Sequence, residues 1–214
     1  MYQNKYNKYI LKYKSYMIQT GGNFRFITES GITKFWFDDD EDSYQSMYDI
    51  NDPSKFYLTY IPLLVSFLDD ITKINNCLMI GLGGGQIPMY VNKKFPNAII
   101  DVVEIDPNVI EVSKLSGFNH TDKLTIHLQD GSLFINKSTS LYDAIIMDLD
   151  DAKSFESFNF SNIKKILTND GVLAINAYNK SRKTESSLSD KINSNFKNVI
   201  LHSLEHNDVF ICRH

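Results

Sequence analysis

Four apolar runs in this chain stop at the same kind of boundary, a glycine or a carboxylate. "CLMIGL" runs into Gly81, "AIIDVVEI" carries Glu104 at its end, "KLTIHLQD" stops at Asp130 and "YDAIIMDL" at Asp148. A fifth run, "GVLAINAY", follows. The first runs alternate with helix-type stretches: "IPMYVNKKF" has Pro88 in its first turn, and Asp106 caps a helix that Pro107 starts. Strand–helix alternation of this kind predicts a parallel sheet covered on both faces. The last two runs, "NVILHSL" and "DVFICR", are separated by "EHN" and suit a closing hairpin that adds an antiparallel final strand. The expected class is therefore α/β.

Upstream, residues 24–50 alternate apolar and polar side chains in "FRFITES", "GITKFWFDDD" and "YQSMYDI". This predicts a small N-terminal β-segment of two or three antiparallel strands, with turns at Ser30-Gly31 and Asp38–Asp42. The acidic run "DDDED" reads as a charged turn in preference to a metal site. Asp52-Pro53 is expected to start a helix through "KFYLTYIPLLVSFL". The first 22 residues form a leader with tyrosines at 2, 6, 9, 13 and 16, a helical stripe ended by Gly21-Gly22. Such a stripe suits packing on the body or on a second copy, as in a homodimer. The expected organisation is a basic Tyr-rich leader over 1–22, a β-segment over 23–52 and a ligand-binding α/β domain over 53–214.

Charge is unevenly spread. Residues 1–25 hold four lysines and Arg25 with no acid, against a chain total of −4, so the remainder carries −9. An acidic body argues against nucleic acid as a partner. No apolar run approaches the ~20 residues of a membrane span, and the polar N-terminus does not read as a secretory signal. Cys77, Cys212 and the histidines show no metal or nucleophile spacing. A reduced, cytoplasmic protein without a metal is expected.

The loop "GLGGGQIP" is where a ligand is expected. In an open parallel sheet, ligands lie beyond the carboxyl ends of the strands at the switch point. Gly81, Gly83, Gly84 and Gly85 strip this loop of side chains, so a ligand can approach bare backbone. Gln86 stands where a dinucleotide fingerprint has its third glycine, which lowers the dinucleotide reading, and no Walker loop is present. Glu104, 23 residues after Gly81, is placed to accept from both ribose hydroxyls of an adenosine. Asp130 is placed to accept from an adenine amino group, with Gly131 letting the chain turn away. Asp148 and Asp151, three residues apart after the fourth strand, could both face the cleft and orient a cationic amine.

"IGLGGGQIP", "VVEIDPNVIEVS", "LQDGS" and "YDAIIMDLDD" together resemble the spermidine-synthase-like branch of the S-adenosylmethionine-dependent methyltransferase superfamily. The likeness covers residues 24–180. It implies a Rossmann-like seven-stranded methyltransferase sheet, an adenosyl-sulfonium ligand, and a contact from Gln45 in "YQSMYDINDP". Aminopropyltransferases of the branch carry Gly-Gly-Gly-Asp-Gly, whose aspartate binds the donor's amino group; it falls on Gly84 here. Their Asp-x-x-Asp-Pro motif is matched by Asp148 and Asp151, with Ala152 in place of proline. The form Gly-Leu-Gly-Gly-Gly-x-x-Pro looks more like a methyltransferase subset. "KFPNAIIDVVEIDPNVIEV" and "GFNHTDKLTIH" resemble the carboxy-terminal domain of the dual methyltransferases acting on elongation factor 1A. The leader resembles the Lys/Tyr-rich leaders of many giant DNA virus proteins.

The resemblance implies transfer from S-adenosylmethionine to an amine, on a small molecule or a protein, with Asp148 and Asp151 as catalytic residues. Two alternatives stay open: aminopropyl transfer from decarboxylated S-adenosylmethionine, and a non-catalytic scaffold with a vestigial pocket.

Overall fold

The computed structural model describes residues 24–37, 44–49, 51–115, 117–118, 121–149, 152–178 and 185–214. The leader and the acidic run at 38–42 lie outside these residues, as does Asp151. Strands β1 (Phe24–Glu29) and β2 (Ile32–Phe37) pair antiparallel across a two-residue turn. Ser30 and Gly31 both take positive φ there, 53° and 84°. That is the backbone a tight hairpin demands, because its twist matches the strands it joins. β3 (Ser46–Asp49) and β4 (Asp52–Phe56) complete a four-stranded antiparallel sheet in the order β1-β2-β3-β4.

β4 corrects one expectation. The stretch beginning at Asp52-Pro53 is a strand, and the first helix, α1 (Tyr60–Leu64), begins only at Tyr60. Tertiary contacts outweigh local propensity here. The Gln86 side-chain amide donates to the carbonyls of Pro53 (3.2 Å) and Lys55 (2.9 Å), holding this backbone extended. A 3-10 turn at Ser66–Asp69 follows α1.

The main sheet has the order β10-β11-β9-β8-β5-β6-β7. β5 (Asn76–Ile80), β6 (Ile99–Glu104), β7 (Leu124–Leu128), β8 (Tyr142–Leu149) and β9 (Leu167–Tyr178) run parallel. β11 (Asn207–Arg213) enters antiparallel between β9 and β10 (Asn198–Ser203). The helices are α2 (Gln86–Lys94), α3 (Pro107–Leu115), α4 (Gly131–Lys137), α5 (Phe160–Lys165) and α6 (Glu185–Asn195).

Alternation along the strands splits the core in two, because successive strand side chains point to opposite faces. Cys77, Met79, Ala144, Ile146 and Ala174 pack with Ile61 and Leu64 of α1, Val91 of α2 and Val112 of α3. Leu78, Ile80, Ile145, Met147 and Ile175 pack with Ile135 of α4, Ile163 of α5 and Ile192 of α6. A strand buried on both faces reads as a continuous apolar run, which is why β5 and β8 stood out in the sequence. The chain leaves β5 toward β6 and β7, then returns to the other side through β8. The switch point therefore lies between β5 and β8, with their carboxyl ends at one edge.

Candidate active site

A cleft of about 830 Å³ opens at that edge. Its floor is the glycine loop. Gly81 continues the ladder by donating to Val103 O at 2.9 Å, then turns at φ 91°. A Cβ at this position would sit 2.2 Å from the carbonyl oxygen of Asp148, so the switch point itself requires glycine. Gly83 also has positive φ, 51°. Gly84 is different. Its N–H donates to Ser46 Oγ at 2.9 Å, and a Cβ there would meet Tyr48 Cε1 at 2.4 Å. The N-terminal sheet is packed onto this residue. Gly85, at φ 82°, precedes α2, and its Cβ would strike the Phe118 ring.

Glu104 is buried at the end of β6. One carboxylate oxygen accepts from Leu82 N of the loop at 3.0 Å, and the other from Asp106 N at 2.9 Å. Each carboxylate oxygen has two acceptor positions, so a carboxylate gripped this way can still receive a ligand hydroxyl. Asp130 caps α4: its Oδ1 accepts from Leu133 N at 3.0 Å and Ser132 Oγ at 2.6 Å. These bonds, the Ser132 hydroxyl first, hold its carboxyl below the usual range. Gly131 opens the helix instead of making a loose turn. A Cβ there would lie 2.6 Å from Ile80 Cγ2, so glycine lets α4 approach β5. Gln45 reaches the cleft wall, with its N–H on Phe35 O at 2.8 Å.

Asp148 projects from β8 beside the loop. Its Oδ2 accepts from the Tyr60 hydroxyl at 3.1 Å, and its Oδ1 from Asn176 Nδ2 at 2.8 Å. Asn176 Oδ1 in turn accepts from Asn207 Nδ2 at 2.9 Å. The register produces this meeting. Asp148 and Asn176 are direct partners on β8 and β9, on the face that α1 covers. Tyr60, Asn176 and Asn207 were missed in the sequence. A signal existed for Asn176, the one polar residue in the run "GVLAINAY". Tyr60 and Asn207 are ordinary loop-edge residues until the fold places them. Tyr178 and His206 stand together near the same end, with ring centroids 6.3 Å apart.

The structure thus brings Gly81, Gly83, Gln45, Glu104, Asp130, Gly131 and Asp148 to one cleft. Four carboxylates, Glu104, Asp106, Asp130 and Asp148, line the cleft against one lysine, Lys153, so the cleft favours a cationic ligand. Among the described residues, no group of His, Cys, Asp or Glu is arranged to hold a metal. Cys77 and Cys212 are buried free thiols, both pushed up to about 12 by burial. No helix of the described residues is long and apolar enough to cross a membrane.

An open sheet with a bare glycine loop at its switch point, followed by acids on successive strand ends, defines an α/β protein with its cleft at the carboxyl edge of the parallel strands. More narrowly, residues 57–208 match the spermine/spermidine synthase domain, and the chain belongs to that family. The human eEF1A lysine and N-terminal methyltransferase is 34% identical over 117 residues, which is 46% of this chain and 17% of that protein. A polyamine aminopropyltransferase from Chromobacterium violaceum is 28% identical over 157 residues, 70% of this chain and 60% of that one. The chain thus spans about a sixth of the first relative and three fifths of the second. Among solved structures, human methyltransferase-like protein 13 in complex with SAH matches at 28% identity and TM-score 0.59, covering 69% of this chain and 74% of that one. A probable spermidine synthase from Corynebacterium glutamicum shares the fold at TM-score 0.75 and 16% identity, covering 89% of this chain and 76% of that one. The chain is a spermidine-synthase-like member of a transferase family whose relatives include both methyltransferases and aminopropyltransferases.

Proposed function

We propose that this chain transfers a methyl group from S-adenosylmethionine to an amine. One observation carries the choice of methyl over aminopropyl transfer. At Gly84, where the aminopropyltransferase pattern has its donor-binding aspartate, a Cβ would meet Tyr48 at 2.4 Å and Ser46 Cβ at 3.1 Å. The acid is absent and its space is filled by the N-terminal sheet. A decarboxylated donor would lose its specific anchor.

The residues present fit an adenosyl-sulfonium. Gly81 and Gly83 offer bare backbone, Glu104 would receive the ribose hydroxyls, and Asp130 would face the adenine. Bound S-adenosylmethionine supplies an electrophilic methyl on a cationic sulfur. Everything else falls to the protein. The amine must attack as the neutral base, so Asp148 is assigned to orient it and to draw off its proton. Tyr60 and Asn176 occupy one side of each Asp148 oxygen and thereby set where an amine can bind. Asp151, three residues on in the sequence, is the second candidate for a role toward the same acceptor. The acceptor class is an amine on a small molecule or a protein.

The second reading is aminopropyl transfer to a diamine, favoured by the aminopropyltransferase relative that covers 70% of the chain. Mass spectrometry of products separates the two. Both donors are offered with putrescine, spermidine and peptide amines. Methylated amine from intact S-adenosylmethionine is expected. Spermidine made from putrescine and the decarboxylated donor would overturn the choice. Asp148→Asn should cut turnover by about 10²–10⁴ while leaving cofactor affinity nearly unchanged, the scale of losing a positioned acid or base.

A further inference from the structure

We infer that Asn207 and Asn176 form a one-way amide relay that keeps Asp148 ionised and aimed, which makes both asparagines positioning residues. Its catalytic consequence rests on the reading of Asp148 given above. The direction of the relay is forced. An ionised carboxylate only accepts hydrogen bonds, so Asn176 must turn its Nδ2 toward Asp148, at 2.8 Å. Its Oδ1 then faces the other way and needs a donor, which Asn207 Nδ2 supplies at 2.9 Å. Asn176 is buried at 3% exposure, so neither end can be exchanged for water at no cost. Tyr60 donates to the other oxygen of Asp148. Both oxygens thus receive donors, and donors to the charged form favour that form.

The relay crosses three strands. Asp148 is on β8, Asn176 on β9 and Asn207 on β11, whose antiparallel entry beside β9 sets the contact. Asn207 follows directly on His206, at the turn between β10 and β11. That turn lines the cleft, so the closing hairpin is coupled to the carboxylate through two amides. The titratable groups around Asp148 are Tyr60 from α1, Glu104 and Asp106 from the β6 end, and Asp130 from the β7 end. Tyr44 before β3, Lys153 after β8, Tyr178 of β9 and His206 complete those that line the cleft among the described residues. None of these lies between the two asparagines.

Reversing the relay is the test. In Asn207→Asp the new carboxylate cannot donate, so Asn176 must turn its Nδ2 to it and present Oδ1 to Asp148. Asp148 then loses a donor and gains a repelling oxygen. Asn207→Ala carries no charge, so a smaller shift in the same direction separates the relay from plain repulsion. The readout is carbon-13 NMR of labelled aspartate carboxyls in the full chain with S-adenosylhomocysteine bound, with Asp148 assigned through Asp148→Asn. The Asp148 midpoint is expected to rise by about 1 pH unit in Asn207→Asp and about half that in Asn207→Ala. Turnover at pH 7 should fall by roughly tenfold in Asn207→Asp, the worth of one hydrogen bond to a charged group. The affinity for S-adenosylhomocysteine should hold, while the melting temperature should fall by a few degrees in Asn207→Ala, where the buried Asn176 Oδ1 loses its donor. Midpoints unchanged from the parent in both variants would overturn the relay. So would a shifted midpoint with parental turnover in an enzyme that Asp148→Asn disables. Parental turnover in Asp148→Asn would instead overturn the role given to Asp148, while the NMR result still decides the relay.

Discussion

Glu104 joins the loop to the ligand edge. Its carboxylate takes the N–H of Leu82 on one side and of Asp106 on the other, so it shapes the loop before any ligand arrives. Replacing it with alanine should weaken S-adenosylhomocysteine binding by about 1–3 kcal/mol, through lost hydrogen bonds to a charged group. Calorimetric titration measures this, and affinity equal to the parent's would remove Glu104 as a ribose ligand. Asp130 allows a test by pH. Its folded pKa is depressed by Ser132 and Leu133, so its contribution to stability is present above its unfolded value of about 3.9. That contribution is lost as pH falls through the lower folded value. Ser132→Ala removes the first of the two causes. The stability gap between parent and Ser132→Ala should be largest near neutral pH and shrink below about pH 4. Urea unfolding across pH reads the gap directly, and a gap that widens toward acid would contradict the assignment.

At the scale of elements, one side chain adds two hydrogen bonds to the link between the two sheets. Gln86 opens α2 and reaches back to two carbonyls of β4, so the residue that breaks the dinucleotide fingerprint has a structural task. Gln86→Ala would leave both carbonyls without this donor. A loss of about 1–3 kcal/mol is expected in chemical denaturation, with the amides around β4 exchanging faster than those of β5. Uniform exchange across both strands would argue that β4 is held by something else. The same contact explains why the sequence misread residues 52–56. Pro53 and the apolar run after it are compatible with a helix start, and pairing with β3 together with a partner 33 residues away selects the strand.

For the whole molecule, the expected ligand contacts lie beyond residue 44, while the basic leader precedes the first described strand. A truncation beginning at Asn23 is therefore expected to bind S-adenosylhomocysteine as tightly as the full chain, with any change appearing in self-association or partner contact. Calorimetry and sedimentation on the two forms make the comparison. A folded truncation that loses affinity would place part of the site in the leader.

The sequence by itself determined the parallel sheet, because strands buried on both faces must be apolar throughout and the turns between them carry their own glycine, proline and aspartate signals. It also determined the edge where the cleft opens: Gly81, Glu104, Asp130 and Asp148 sit at strand ends, and parallel strands bring all such ends to one side. The closing antiparallel hairpin was legible from two runs three residues apart. What the sequence could not contain was lateral register. Asn176 meets Asp148 because β9 lies beside β8, and Asn207 meets Asn176 because β11 inserts between β9 and β10. Tyr60 arrives through the docking of α1 on β9 and β11. Tyr48 fills the place beside Gly84 because a separate sheet closes over the loop. Each of these contacts joins residues far apart in the chain. No local propensity encodes them, since they exist only once the burial of two apolar faces has selected one arrangement of strands.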